Sequence, residues 1–324
     1  MGDGIKVVPY RREMEKEWDA FVARADNGTL FHTQAFLGYH AGDMADRFRH
    51  LLFYRGGKLA AVLPLGEASG EGGARMRSPW GSSFGGPVGP ELRYAGSRDL
   101  VSALLSFARD SGWSALSVTP APSLYQSHPD ASLEFCLLRS GFVLASRELC
   151  QAVDLRALPS DPVETYAYAC AKQIRKAGRL GVEVRPTSDL PAFHAILTAN
   201  RLRHGVAPTH SLDDLFRLRD RIPEAFFLLG AYRQGGLEGG LLGFAANPRV
   251  FLNFYTCSRD EAGGLGVDNL LNHAAILLAR ERGHHYYDFG TSSLRMQPNE
   301  GLIRFKESFG GGSILRDTYM WEAS

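Results

Sequence analysis

The 324-residue chain has little of what defines several classes of protein. It contains only four cysteines, Cys136, Cys150, Cys170 and Cys257, and no two of them have C-x-x-C spacing. We therefore expect no structural zinc site, no redox-active pair and no other bound metal. The spacing favours reduced and mostly buried thiols, which are typical of a cytoplasmic protein.

Net charge and long apolar runs are also missing. The 36 Lys and Arg residues nearly balance the 35 Asp and Glu residues, so composition gives no case for a nucleic-acid binder. The N-terminus has no basic stretch followed by an apolar run, which argues against a signal peptide. The longest apolar candidate, Leu270 to Ala279, is interrupted by Asn272 and His273. We expect no membrane span, because a span needs roughly 18 apolar residues.

Common nucleotide-binding and hydrolase motifs are absent or out of context. There is no G-x-G-x-x-G and no Walker A loop, so a Rossmann domain and a P-loop are excluded. The segment GSSFG, at 81–85, matches the nucleophile elbow of α/β-hydrolases, a motif that needs a helix immediately after it. GPVGPELR follows instead, so we expect Ser83 to be no nucleophile but to lie in a loop that contacts a substrate.

Two sequence patterns each occur twice in the chain. YRGGKLAAVLPLG (54–66) resembles YRQGGLEGGLLGF (232–244), and each predicts a β-hairpin. LLSFARDSGWSALSV (104–118) resembles AILLARERGHHYYDF (275–289), and each predicts an amphipathic helix, a glycine at C′ (Gly112 or Gly283) and a strand. The second copies begin about 178 and about 171 residues after the first, which predicts a duplicated domain.

Each half is predicted to be a mixed α/β layered domain, with helices on a largely antiparallel sheet. Pro159 and Pro162 interrupt the chain between the halves, which gives predicted domains at 1–156 and 157–324. In the second half, EAGGLG joins a strand to a helix. Glycines at such a turn let the backbone approach a ligand, and the N–H groups of the helix N-terminus bind anions. An ordinary strand-to-helix turn is the alternative.

Five segments together resemble one family. They are NGTLFHTQAFLGYH, SPWGSSFGG, AKQIRKAGRLGVEVR, YYDFGTSS and NEGLIRFKESFGG. Their order is similar to that in FemAB-like proteins, which are tandem GNAT acyltransferases and include peptidoglycan-bridge aminoacyl transferases. The resemblance extends from about residue 15 to residue 319. It implies two tandem GNAT-like domains and direct transfer of an acyl group to an amine.

The resemblance implies that the glycine turn holds the pyrophosphate of coenzyme A. The donor residues implied are Tyr255, Thr256, Gly264, Leu265, Gly266 and Asn269. Gly264 and Gly266 fit the family pattern, but Glu261 stands where the family has Arg or Gln. We predict acyl-CoA, and acetyl-CoA first, as the donor. Aminoacyl-tRNA is the less favoured donor, because no long helical arm is visible and tRNA favours an extended positive surface.

The acceptor implied is an amine on a sugar, a nucleotide-sugar or a cell-wall precursor. The first domain lacks the glycine turn, so we expect it to serve the acceptor and to hold no donor site. Asp288, Glu307 and His204 are the candidate proton acceptors. The candidate substrate contacts are His32, Ser83, Lys172, Arg175, Asn299, Arg304 and Lys306. Structural roles for the histidines, and a solvated face for the helix cations, are the alternatives.

The segment GLIRFKESFGG, at 301–311, is predicted to be a strand near the site. Alternation would place Arg304 and Lys306 on one face, where they would hold a phosphate or a developing oxyanion. An exposed strand with solvated charges is the alternative. A non-catalytic module that binds a phosphorylated ligand is the rival to an enzyme of this kind.

Overall fold

The computed structural model describes residues 4–69, 73–90, 92–203, 205–260 and 262–323. The chain divides into two compact units. The first unit is Met1–Glu148 with Leu315–Ser324, and the second is Leu149–Ile314. Their ends differ from the predicted domains at 1–156 and 157–324, because the last strand pairs within the first unit through Tyr319 and Val118. That the two units are copies of one domain stays a prediction.

The first unit contains two sheets and five helices among its described residues. Its strands are β1 (Ile5–Pro9), β2 (Leu51–Arg55), β3 (Lys58–Leu63), β4 (Gly66–Ala68), β5 (Ala74–Ser78) and β6 (Trp113–Val118), with the start of β7 (Val143–Asp154). Its helices are α1 (Glu15–Val22), α2 (Gln34–Leu37), α3 (Asp43–Asp46), α4 (Tyr94–Asp110) and α5 (Ser132–Arg139). Strands β1 to β3 form an antiparallel sheet, and β5 pairs with β6 in parallel. The predicted hairpin and the predicted helix–strand pair are both confirmed here.

The second unit contains the mixed sheet that carries the site. Its helices are α6 (Tyr168–Arg179), α7 (Leu190–Arg203), α8 (Leu212–Arg221), α9 (Val267–Glu281) and α10 (Glu300–Glu307). Its strands, after the end of β7, are β8 (Glu183–Pro186), β9 (Phe226–Arg233), β10 (Gly236–Asn247), β11 (Val250–Ser258), β12 (Tyr286–Thr291), β13 (Ser293–Leu294), β14 (Gln297–Pro298) and the start of β15 (Gly312–Glu322). The large sheet has the order β7–β12–β11–β10–β9–β8 within this unit. Only β11 and β12 are parallel among these described pairs, so the largely antiparallel sheet is confirmed.

Helices α7 and α9 lie on opposite faces of this sheet. Side chains of neighbouring strand residues point to opposite faces. A Cβ on Gly239 would meet the Val267 side chain of α9, whereas one on Gly240 would meet the Phe193 side chain of α7. The glycines therefore allow both helices to pack closely on β10. A core cluster that includes Leu241 and several residues of α9 and α6 fills the α9 side.

The predicted strand at 301–311 is wrong, because residues 300–307 form helix α10. The Asn299 side chain caps the helix by accepting a hydrogen bond from the Leu302 backbone N–H at 3.0 Å. Glu300 and Arg304 form an exposed i,i+4 ion pair. Residues two apart on a helix lie on nearly opposite faces. Arg304 is consequently exposed and Lys306 is buried, so the two cations do not share a face.

Candidate functional site

Strands β11 and β12 stop pairing partway along their length. Val250–Leu252 pair in parallel with Tyr286–Asp288, and within the described residues the register goes no further, although both strands continue. Strand β11 bulges against β10 at the same level. Asn253 lies opposite Gly243 and Tyr255 lies opposite Leu242, so Phe254 is an extra residue. Bulges of this kind are common beside functional sites.

Beyond the last residues that pair with β11, the backbone of β12 forms hydrogen bonds with side chains instead. The Gly290 backbone N–H donates to Asp288 Oδ1 at 2.7 Å. Lys306 Nζ donates to the Gly290 and Thr291 carbonyls at 2.8 and 2.7 Å. Asp288 and Lys306 are only 3% and 4% exposed. Buried backbone polar groups need partners, and these two charged side chains supply them, so the separation of the strands is built into the fold.

A network of polar side chains lies between β11, β12 and α9. Asn253 Nδ2 donates to Asn272 Oδ1 at 2.8 Å and to Thr256 Oγ1 at 2.9 Å, and the Tyr287 hydroxyl donates to Asn272 Oδ1 at 3.0 Å. The extra residue of the bulge brings Asn253 and Thr256 to the same side of β11. Burial raises the pKa of the Tyr287 hydroxyl well above its usual value, so this group stays protonated as a donor.

The glycine turn forms the N-terminus of α9. Residues Gly263–Leu265 make one 3-10 turn, and Gly266 has φ +75° before the helix begins at Val267. A Cβ on Gly264 would meet nothing within 4 Å, so a ligand can approach its backbone. Lys176 Nζ, from α6, donates to the Gly264 carbonyl at 2.6 Å. A helix N-terminus with a cation beside it attracts anions.

A carboxyl group lies close to this turn as well. Asp268, in the first turn of α9, has a buried Oδ1 with no hydrogen-bond partner among the described residues. Burial raises the pKa of Asp268, while a hydrogen bond with Ser258 and the charge of Arg203 lower it. A raised pKa favours the neutral form of Asp268, and this form would repel a bound anion less than the carboxylate does. Glu261, the predicted departure from the family pattern, lies outside the described residues.

Comparisons with known proteins identify the fold. A family model described as an acetyltransferase (GNAT) domain matches residues 166–306. A crystal structure of FemX superposes with a TM-score of 0.74 at 14% identity, covering 98% of this chain and 97% of that one. The chain has a FemAB-like GNAT fold. A tandem GNAT protein from the clavulanic acid biosynthesis pathway has a TM-score of 0.58 at 17% identity, with 99% of each chain covered.

A third GNAT-like structure is the C-terminal domain of a putative lysylphosphatidylglycerol synthetase from Agrobacterium fabrum. Its TM-score is 0.60 at 14% identity, with 96% of this chain and 92% of that one covered. No curated protein sequence matches the chain. The GNAT model covers the segment from before α6 into α10, which includes the unpaired strands and the glycine turn.

Three of the predicted donor residues make up the glycine turn, and three hold the surrounding structure. Gly264, Leu265 and Gly266 form the turn and the start of α9. Asn269 Nδ2 donates to Cys170 Sγ at 3.4 Å and thereby joins α9 to α6. Thr256 belongs to the polar network. The buried Tyr255 hydroxyl lies 2.8 Å from His210 Nδ1, so it is bonded within the unit.

The predicted proton acceptors have very different environments. Asp288 is buried and bonds the Gly290 N–H, whereas Glu307 is exposed near the end of α10. His204 lies outside the described residues. Asn299 caps α10, and Arg304 pairs with Glu300 at the surface. The role of Asp288, Glu307 or His204 as a proton acceptor stays a prediction.

Two predicted substrate contacts lie in the first unit. The His32 ring is buried, 2.7 Å from Thr29 Oγ1 and 3.0 Å from the Gly85 carbonyl, so both ring nitrogens are used inside the unit. The Ser83 carbonyl accepts a hydrogen bond from Arg316 Nη1 at 3.2 Å, and the next described helix starts only at Tyr94. Ser83 therefore lacks the strand–helix context of a nucleophile elbow.

Two residues of the site, Asn253 and Asn272, were not among the predicted ones, and a third, Lys176, was predicted only as part of the basic face of α6. Lys176 shares α6 with the predicted and exposed Lys172 and Arg175, and it is the cation that reaches the turn. Asn253 and Asn272 are each the single amide in a mostly apolar run, VFLNFYTCS and LLNHAAILL. A single amide in such a run is a signal, because buried polar groups need specific partners.

The described part of the chain contains no group of three His, Cys, Asp or Glu side chains arranged to hold a metal ion. No helix there has the length and apolar character required to cross a bilayer. The four cysteines are free and buried.

Replacing Gly266 by alanine is expected to destabilise the protein by on the order of 2 kcal/mol, because a left-handed backbone disfavours a side chain. A Cβ there would also lie 2.5 Å from the Gln173 carbonyl oxygen of α6. Gly264→Ala is the matched control, since its Cβ would enter open space. Urea unfolding of both variants is the measurement. Equal stability of the two would contradict this account of the turn.

Proposed function

We propose that the protein is an N-acyltransferase that moves an acyl group from acyl-CoA, with acetyl-CoA the first candidate, to an amine. The amine belongs to a sugar, a nucleotide-sugar or a cell-wall precursor. The observation that carries the proposal is the loss of β11–β12 pairing beside an open glycine turn at the N-terminus of α9. Unpaired strands leave room for an extended acyl arm, and the turn suits a diphosphate.

The residues of the turn fit a coenzyme A diphosphate. Backbone N–H groups at the start of α9 and the exposed Gly264 would bind phosphate oxygens, and Lys176 would supply a positive charge. The charge that the family places in the loop would thus come from α6. The thioester supplies an acyl carbon that is open to attack by an amine.

The reaction needs few groups from the protein. The amine nitrogen forms a bond to the acyl carbon, the carbon–sulfur bond breaks, and the amine loses a proton as the thiolate gains one. Holding the reactants together can supply on the order of 7–11 kcal/mol of the barrier at best. Asp288 and Glu307 are the proposed proton acceptors, of which Asp288 is buried and Glu307 is exposed.

Calorimetric titration of the protein with acetyl-CoA tests the proposal. We expect micromolar binding, and we expect Gly264→Glu to weaken it by at least about tenfold, which is about 1.4 kcal/mol. The new carboxylate would repel the diphosphate at an open position. Gly312→Glu is the matched control, because a Cβ at that glycine also meets nothing within 4 Å. No binding by the folded wild-type protein would contradict the proposed donor.

Aminoacyl-tRNA remains the second candidate donor. Lys172, Arg175 and Arg179 are exposed on α6 and make a basic surface that a polyanion can use. Binding of tRNA that falls steeply with salt, together with no binding of acetyl-CoA, would favour this candidate. Binding of phosphorylated ligands without transfer to any amine would favour a non-catalytic binding module.

A further inference from the structure

Asn272 is the polar exception on the buried side of α9. The other buried residues of this helix are Val267, Leu271, Ala275, Ile276 and Ala279. Asn272 itself is fully buried, at 0% exposure. Burying an amide costs free energy unless its hydrogen bonds are made, and a leucine of similar size would fill the same space. The amide therefore needs an explanation beyond packing.

The hydrogen bonds fix which way this amide points. Asn272 Nδ2 donates to the Asp268 carbonyl at 2.9 Å, and a carbonyl can only accept. Asn272 Oδ1 must then face Asn253 and Tyr287, and it accepts from both. Both lone-pair positions of this oxygen are used. The orientation of Asn253 follows, because its Nδ2 has to point at Asn272.

The oriented Asn253 side chain in turn forms hydrogen bonds with Thr256. Thr256 Oγ1 lies 2.9 Å from Asn253 Nδ2 and 3.1 Å from Asn253 Oδ1. Both residues lie on the stretch of β11 that has left β12. Tyr287, at the other end of the network, lies on the part of β12 that is still paired, opposite Phe251. The network thus joins a paired level of the two strands, one residue before pairing ends, to the unpaired stretch of β11.

We propose that Asn272 is a positioning residue of the donor site. By bonding Asn253 and Tyr287 at once, it holds the unpaired part of β11 in place and orients the Thr256 hydroxyl toward the amide-bearing arm of acyl-CoA. The inference rests on the proposed function and adds a residue to it. The nucleotide end of the donor, bound at the glycine turn, does not depend on Asn272.

Titration with two ligands separates the arm from the nucleotide end. For Asn272→Leu we expect the dissociation constant of acetyl-CoA to rise at least about tenfold, and that of 3′,5′-ADP to stay within about twofold. Thr256→Val keeps the shape of its side chain and removes only its hydroxyl. We expect it to weaken acetyl-CoA about fivefold, as the loss of one hydrogen bond predicts, with no effect on 3′,5′-ADP.

His273→Leu is the control for a purely structural loss on the same helix. It removes the contact between His273 Nδ1 and the Tyr166 hydroxyl, at 3.3 Å, which lies outside the network. It should lower thermal stability and leave the ratio of the two dissociation constants unchanged. Equal acetyl-CoA binding by the wild type, Asn272→Leu and Thr256→Val would overturn the inference alone. If Asn272→Leu fails to fold, the two dissociation constants of Thr256→Val test the inference in its place. No acetyl-CoA binding by the wild type would overturn the proposed donor, and this inference with it.

Discussion

Replacing Lys306 by methionine is expected to lower the free energy of unfolding by about 3 to 5 kcal/mol, because two hydrogen bonds from a charged group are lost. Lys306 is 4% exposed, and its ammonium donates to the carbonyls of Gly290 and Thr291. Methionine keeps the length of the side chain and removes the donors. The end of β12 would then lose partners that strand β11 does not replace.

Urea unfolding compares this variant with Arg304→Met. Arg304 lies on the same helix and is 72% exposed, and its ion pair with Glu300 is the kind that contributes less than about 0.5 kcal/mol. We therefore expect the control to be nearly as stable as the wild type. Similar stability of the two variants would mean that Lys306 is not needed to hold the end of β12. That outcome would favour the predicted role of its charge in substrate binding.

Most elements of the second unit could be predicted because their patterns are local. The hairpin β9–β10 has a glycine turn between apolar runs, and α9 has a helical period that ends at Gly283, whose φ is +81°. The prediction of a strand at 301–311 is wrong, because charges at positions two apart also fit the alternation of a strand. The cap by Asn299 and the Glu300–Arg304 pair favour a helix, and both depend on spacings of three and four residues.

The candidate site could be predicted only in part. Glycines at a strand–helix junction indicate an anion site, and the turn at Gly264 to Gly266 has the geometry for one. The contact between Lys176 and Gly264 could not be predicted, because it joins residues 88 apart in the chain. The hydrogen bonds of Asn272 likewise depend on how α9 lies on the sheet. The sequence shows that the two asparagines interrupt apolar runs, but only the fold shows which groups they bond.

Acidification from pH 7 to pH 5 is expected to remove about 2 kcal/mol of stability for each of two buried histidines. Burial lowers the pKa of His32 to about 4 and that of His50 to about 3, from an ordinary value of 6.5. The unfolded chain takes up protons near pH 6.5, and the folded chain does not until about pH 4 or 3. Between these values the unfolded state binds more protons, so stability falls as the pH falls.

Urea unfolding at several pH values between 7 and 5 measures this slope, which should approach about 1.4 kcal/mol per pH unit for each histidine. His32→Gln keeps groups that can bond Thr29 and Gly85, and it should remove about half of the combined slope. His128→Gln is the control, because the His128 side chain is 81% exposed. Because this side chain is exposed, its replacement should leave the slope unchanged. A slope in His32→Gln equal to that of the wild type would show that His32 becomes protonated without unfolding, and its buried ring would then have to be accessible in the folded protein.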